Sequence, residues 1–159
     1  MKSHRWQWPI MLVCLITSPV VHAALGGNAQ SVQADQASMG AARTSAVQMF
    51  ATVQGAYSVQ SLTLPSGTVV HEYLSASGAV FAVTWQGSTM PDLQQILGSY
   101  MGGVADAVKA YRVQHPGIGP VSLSTDNVVI QAGGHMGVYV GRAYLPSALP
   151  AGVALSDIQ

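Results

Sequence analysis

The sequence predicts an α+β fold: a curved antiparallel sheet of about five to six strands packed on one main helix, in the order β-β-β-α-β-β-β. Three observations carry this prediction. Strand-like segments cluster on both sides of residues 89–114. Within that stretch the apolar period changes from two to steps of three and four. Short turns of Gly, Pro and Ser join the strand-like segments, as an antiparallel meander requires. One helix laid on a sheet is the most economical way to cover the apolar faces of both.

Residues 1–23 read as an export signal that precedes the fold. Lys2, His4 and Arg5 make a basic start, residues 10–16 (IMLVCLI) an unbroken apolar run, and Pro19 ends any helix before Val21-His22-Ala23. Cleavage is expected after Ala23, with cleavage after Ala24 the close alternative. The apolar run is far shorter than the roughly 20 residues of a spanning helix, so no stable membrane anchor is expected. Cys14 lies inside that run and follows Val13, where lipid modification needs a small residue. It reads as one more apolar residue of the signal.

Residues 24–55 form an N-terminal segment rich in Gln, Ala and Ser. Ala and Gln favour helix, while Gly40 and a weak apolar face argue against a long one. A short helix near residues 31–38 is expected, followed by a mobile stretch to about Gly55. The single α+β domain is expected over residues 56–145. Its first strands are 57–64, 68–74 (TVVHEYL) and 79–85 (AVFAVTW), the last with Phe81, Val83 and Trp85 on one face by alternation. Leu93, Ile96, Leu97, Tyr100, Met101, Val104, Val108 and Tyr111 then make one helical stripe. Thr89-Met90-Pro91-Asp92 supplies its start and Pro116-Gly117 its stop. Gly102-Gly103 suggests a kink or a close backbone approach. Strands follow at 121–123, 127–132 and 137–145, and residues 146–159 read as an extended arm over the surface.

Removing the signal leaves 136 residues, enough for one domain with a substantial core. The only cysteine leaves with it, so no disulfide forms within the mature chain. The remaining charges are Arg43, Lys109, Arg112 and Arg142 against six carboxylates, a net of minus two. Four scattered cations exclude nucleic-acid binding through phosphate neutralisation and a polybasic membrane patch.

Four blocks carry a family resemblance: ALGG after the signal, SGTVVHEYLSASGAVFAVTWQG, MPDLQQILGSY, and GGHMGVYVGRAYLPSALPAGV. With them the chain resembles the secreted bacterial family known as domain of unknown function 2844, across nearly the whole mature part. The resemblance implies an exported proteobacterial protein and supplies no site residues.

No catalytic, cofactor or metal site is predicted. His71, His115 and His135 lack ligand partners at short spacing. No Gly-x-Ser-x-Gly elbow and no phosphate-cradling glycine loop occurs. Glu72, in mid-strand among apolar residues, and Arg142, in the last strand, are the candidates for a structural ion pair. On one sheet face they would pair and fix strand register. The aromatic residues Tyr57, Tyr73, Phe81, Trp85, Tyr100, Tyr111, Tyr139 and Tyr144 read as core, with a pocket lining the alternative. The leading functional expectation is a non-enzymatic periplasmic or secreted accessory protein that binds an envelope protein. A small apolar-ligand carrier, with its pocket between sheet and helix, is the second. A hydrolase with an unfamiliar site around His71, Glu72 and Arg142 is the third.

Overall fold

The computed structural model describes residues 25–51 and 56–159. The expected signal peptide, its cleavage point at Ala23 or Ala24, and residues 52–55 lie outside the described residues.

Helix α1 (Ala29–Ser38) comes first. Asn28 caps it by accepting from the backbone N–H groups of Gln30 and Ser31, each at 3.0 Å. The Ser31 hydroxyl accepts from the Asn28 N–H in return, at 2.7 Å. Both exposed ends of the first turn are thereby satisfied. Four strands follow: β1 (Ala42–Ala51), β2 (Ala56–Thr63), β3 (Val69–Ser75) and β4 (Val80–Gly87). Helices α2 (Leu93–Leu97) and α3 (Met101–Gln114) lead to β5 (Val121–Ser124), β6 (Val129–His135) and β7 (Val138–Tyr144). The seven strands form one sheet in the order β1-β2-β3-β4-β7-β6-β5. Every neighbouring pair is antiparallel.

The antiparallel α+β architecture is the one the sequence predicts. The seventh strand is β1, where a mobile stretch was expected. Ala and Gln in that segment favour helix locally, but pairing with β2 from Ala42 opposite Thr63 to Ala51 opposite Ala56 overrides the propensity.

The helical stripe is also divided differently. Within the expected Thr89–Asp92 start, Asp92 is the cap: its carboxylate accepts from Gln94 N–H at 2.8 Å and Gln95 N–H at 3.3 Å. The helix breaks at Gly98, whose φ of 50° is costly for a residue with a Cβ. A 3-10 turn over Gly98–Tyr100 then leads into α3. Gly102 and Gly103, where a kink was expected, lie inside α3 with open space around both.

Strand β4 contains a bulge. Tyr73 pairs with Ala82 and Leu74 with Val80, so Phe81 is the extra residue. Simple alternation, which puts Phe81 beside Val83 and Trp85, fails for this reason. Val80, Val83 and Trp85 join the core beneath the helices, together with Val70, Leu97 and Val104. Phe81 turns to the opposite face, into a second cluster with Tyr57, Tyr73, Tyr144 and Ile158. Ile158 belongs to the C-terminal segment, which crosses that face through 3-10 turns at Pro146–Ala148 and Leu155–Asp157. The sheet therefore has a helix face and an arm face.

Candidate functional site

Strand register aligns one polar row across the arm face. Ser61 stands opposite His71, His71 opposite Thr84, Thr84 opposite Arg142, Arg142 opposite Gln131, and Gln131 opposite Ser122. Residues directly opposite in adjacent strands share a face, so six consecutive strands contribute one side chain each. The row is knitted together by hydrogen bonds. Ser61 Oγ and His71 Nδ1 lie 2.7 Å apart, Arg142 Nε donates to Gln131 Oε1 at 2.7 Å, and Gln131 Nε2 reaches Ser122 Oγ at 3.4 Å.

The row also anchors the arm. Arg142 Nη1 donates to the carbonyls of Leu155 at 2.8 Å and Ile158 at 3.2 Å. Thr84 Oγ1 donates to the Gln159 carbonyl at 3.1 Å. The Tyr73 hydroxyl donates to the same carbonyl at 2.7 Å and accepts from the Gln159 N–H at 3.0 Å. Ile158 is fully buried.

The arm covers only part of the face. Beyond it lies a mostly apolar groove of about 950 Å³. Its floor is the polar row and the next row, where Val69 faces Gln86, Gln86 faces Val140, and Val140 faces Gly133. Ile158 and Gln159 form one wall, and Pro120, Val121 and Ser122 the other. The volume falls in the range of small-molecule sites, roughly 300–1,000 Å³. His71 and Arg142 lie on this floor. Burial holds the His71 imidazole below its ordinary pKa, so it is neutral at neutral pH.

The expected Glu72–Arg142 pair does not form, because the two residues lie on opposite faces. Strand β4 separates their strands, and its register sets Glu72 in line with Val83 and Ala143, and Arg142 in line with Thr84 and His71. A one-residue offset reverses the face. The expected hydrolase constellation is divided in the same way: His71 and Arg142 share the groove floor, and Glu72 points beneath the helices.

There Glu72 meets a carboxyl the sequence reading overlooked. Asp35 of α1 is fully buried, and Glu72 is 3% exposed. Asp35 accepts a hydrogen bond from Gln95 Nε2 and is hydrogen-bonded to Glu72. Burial pushes its pKa up to about 7, against the opposing effect of those two bonds. Asp35 Oδ2 is buried without a donor. Burial disfavours the charge on this carboxyl, which is what raises its pKa. Sealed from solvent, the pair ties α1 and α2 to β3. The signal for it is the spacing Ser31, Val32, Asp35, which places the carboxyl on the buried stripe of α1.

The other candidates are scattered. His115 stacks on Tyr111 at 4.2 Å at the end of α3, and His135 Nδ1 lies 3.1 Å from the Met136 carbonyl oxygen at the β6–β7 turn. Among the described residues no three His, Cys, Asp or Glu side chains converge as metal ligands, and no helix is long and apolar enough to cross a membrane. Of the eight aromatic residues, only Trp85 belongs to the groove lining. Its indole lies on the helix side, against Gly141, where any Cβ would collide with the ring.

No curated protein and no solved structure matches the chain. One family matches over residues 21–158, a span that takes in every strand and helix described above and the arm as far as Ile158. The chain belongs to that family, whose description is Protein of unknown function (DUF2844).

Proposed function

We propose that the protein is an exported, non-enzymatic binding protein of the cell envelope, and that its ligand site is the groove on the arm face. The groove itself carries this reading. It is concave and largely apolar, with a few polar groups held in place by their own hydrogen bonds. Of the three functional expectations, it favours the small-ligand carrier over the protein-binding accessory and the hydrolase. The site differs from the expected one in position. The space between sheet and helices is filled by core side chains, and the cavity lies on the opposite side. Export is supported by the basic start, the apolar run and the Ala23–Ala24 junction.

Binding is tested with the mature chain and Nile red, an uncharged dye whose fluorescence rises in apolar surroundings. Saturable one-to-one binding is expected, and loss of it in Val140→Glu, a half-exposed position where a charge leaves folding intact. No saturable binding, or binding unchanged by that substitution, contradicts the reading. Export is tested by sequencing the N-terminus of the protein from a periplasmic fraction. A start at Ala24 or Leu25 is expected, and an uncleaved cytoplasmic chain contradicts it.

A further inference from the structure

Exposed apolar side chains are unevenly distributed over the protein. Eight large ones are exposed among the described residues, and five of them, Val113, Ile118, Met136, Val138 and Val140, gather at one end of the sheet. The topology brings them there. Strand β7 returns from β6 through the turn at Met136 and Gly137, and Tyr139 stands opposite Gly87, the last residue of β4. Helix α3 ends at Gln114, and the loop 115–120 leads into β5, where Val121 stands opposite Ala132. A Cβ on Gly133 would come 3.4 Å from Pro120 Cβ, which places that loop beside the β6–β7 turn. Arg112 holds the loop to the helix by donating to the Gly119 carbonyl. Pro120 and Val140 also line the groove, so this end adjoins it.

Two features fit this end to a lipid surface. The first is shape. Ile118 is fully exposed and Met136 is 90% exposed, each on a turn with glycine beside it. Isolated apolar tips leave gaps that a rigid protein face must fill, whereas fluid acyl chains close around each one. The second is charge. Segments 109–121 and 131–141 carry Lys109 and Arg112, and all six carboxylates of the chain lie outside them. Cations near anionic headgroups add to the insertion of apolar groups. Tyr111 and Tyr139, half-buried at the same end, are of the type that sits at headgroup level.

We infer that this end docks reversibly on the surface of an anionic bilayer, with Ile118 and Met136 inserted among the acyl chains and Lys109 and Arg112 near the headgroups. Docking rests on the apolar tips and not on a polybasic patch, which the chain lacks. It goes beyond the groove reading and stands without it. If both hold, the ligand site lies beside the phase in which apolar molecules dissolve.

The test is co-sedimentation of the mature chain with sucrose-loaded vesicles, either phosphatidylcholine alone or an equimolar mixture with phosphatidylglycerol. Saturable binding is expected, several-fold tighter to the anionic vesicles, with that preference falling as salt is raised. Ile118→Ser and Met136→Ser are each expected to weaken it about 10-fold, the effect of withdrawing one large apolar side chain from the bilayer. Both positions are exposed, so folding is retained. Met49→Ser is the control. Met49 is 74% exposed at the opposite end of the sheet, facing Ser58, which faces Leu74, and its loss leaves binding unchanged. No vesicle binding, equal affinity for the two vesicles, or a loss in Met49→Ser equal to that in the tip variants overturns the inference. Self-association that the tip variants abolish, without vesicle binding, also overturns it and makes the patch an interface between copies. Nile red binding is read without vesicles, so failure of docking leaves the groove reading standing.

Discussion

The two faces of the sheet are built from the same strands and solve opposite problems. On the helix face, Val70, Val83 and Trp85 are closed over by α1, α2 and α3, and even a carboxyl pair is sealed inside. On the arm face, the C-terminal segment closes only the Tyr57–Tyr73–Phe81 end, leaving Val138 and Val140 about half exposed beside a fixed polar row. Burial of charge on the first face is opposed by the raised pKa of Asp35. On the second, Arg142 lies at a concave, partly open surface. The difference separates the part that makes the protein stable from the part available to a ligand.

The sharpest way to break this comparison is to truncate neighbours on opposite faces. Trp85→Ala is expected to cost about 3–5 kcal/mol in urea unfolding, since it empties a close-packed site. Val140→Ala, in the strand beside it, is expected to stay within about 0.5 kcal/mol. Similar losses would erase the distinction. Ile158→Ala comes next, at about 2–5 kcal/mol if the arm is integral to the fold. A negligible change would make the arm a detachable cover.

The carboxyl pair sets a pH dependence. The Asp35 carboxyl titrates near 3.8 when unfolded and at about 7 when folded. Below about pH 4 it is protonated in both states, and its contribution is fully present. As pH rises, the unfolded chain releases the proton first, so stability falls until the folded pKa near 7 is passed and then levels off. Asp35→Asn is expected to flatten this slope in urea midpoints measured from pH 4 to 8, and an unchanged slope would remove Asp35 as its source. The smallest expected effect is a coupling. Glu72→Gln and Arg142→Gln lie on opposite faces, so their effects should add within about 0.5 kcal/mol. A larger coupling would reunite the two residues.

How much of this was legible depends on whether a feature is local. The helical stripe at Leu93, Ile96, Leu97 and Val104 and the turns around Gly67 and Gly78 announce themselves through spacing and backbone chemistry, and the α+β order follows from them. The placement of β7 beside β4 is not local. Chain order leaves spatial order open, which is why Glu72 and Arg142 were expected on one face. The bulge at Phe81 is invisible to alternation, because a single extra residue reverses the pattern without changing composition. Strand β1 was hidden by helix-favouring Ala and Gln whose conformation is decided by pairing with β2. Asp35 was within reach, since it shares a helical stripe with Val32. The groove was not, because it exists only where the arm and the Pro120 segment stop short of each other.

The central claim is that the arm face, and not the helix face, receives the ligand. Amide chemical-shift mapping of the mature protein during a Nile red titration tests it most directly. Saturable shifts are expected at Val69, Thr84, Gly133 and Val140, with Val32, Val83 and Val104 unmoved. Shifts concentrated on α1 and α3, or no saturable shift at all, would contradict the account.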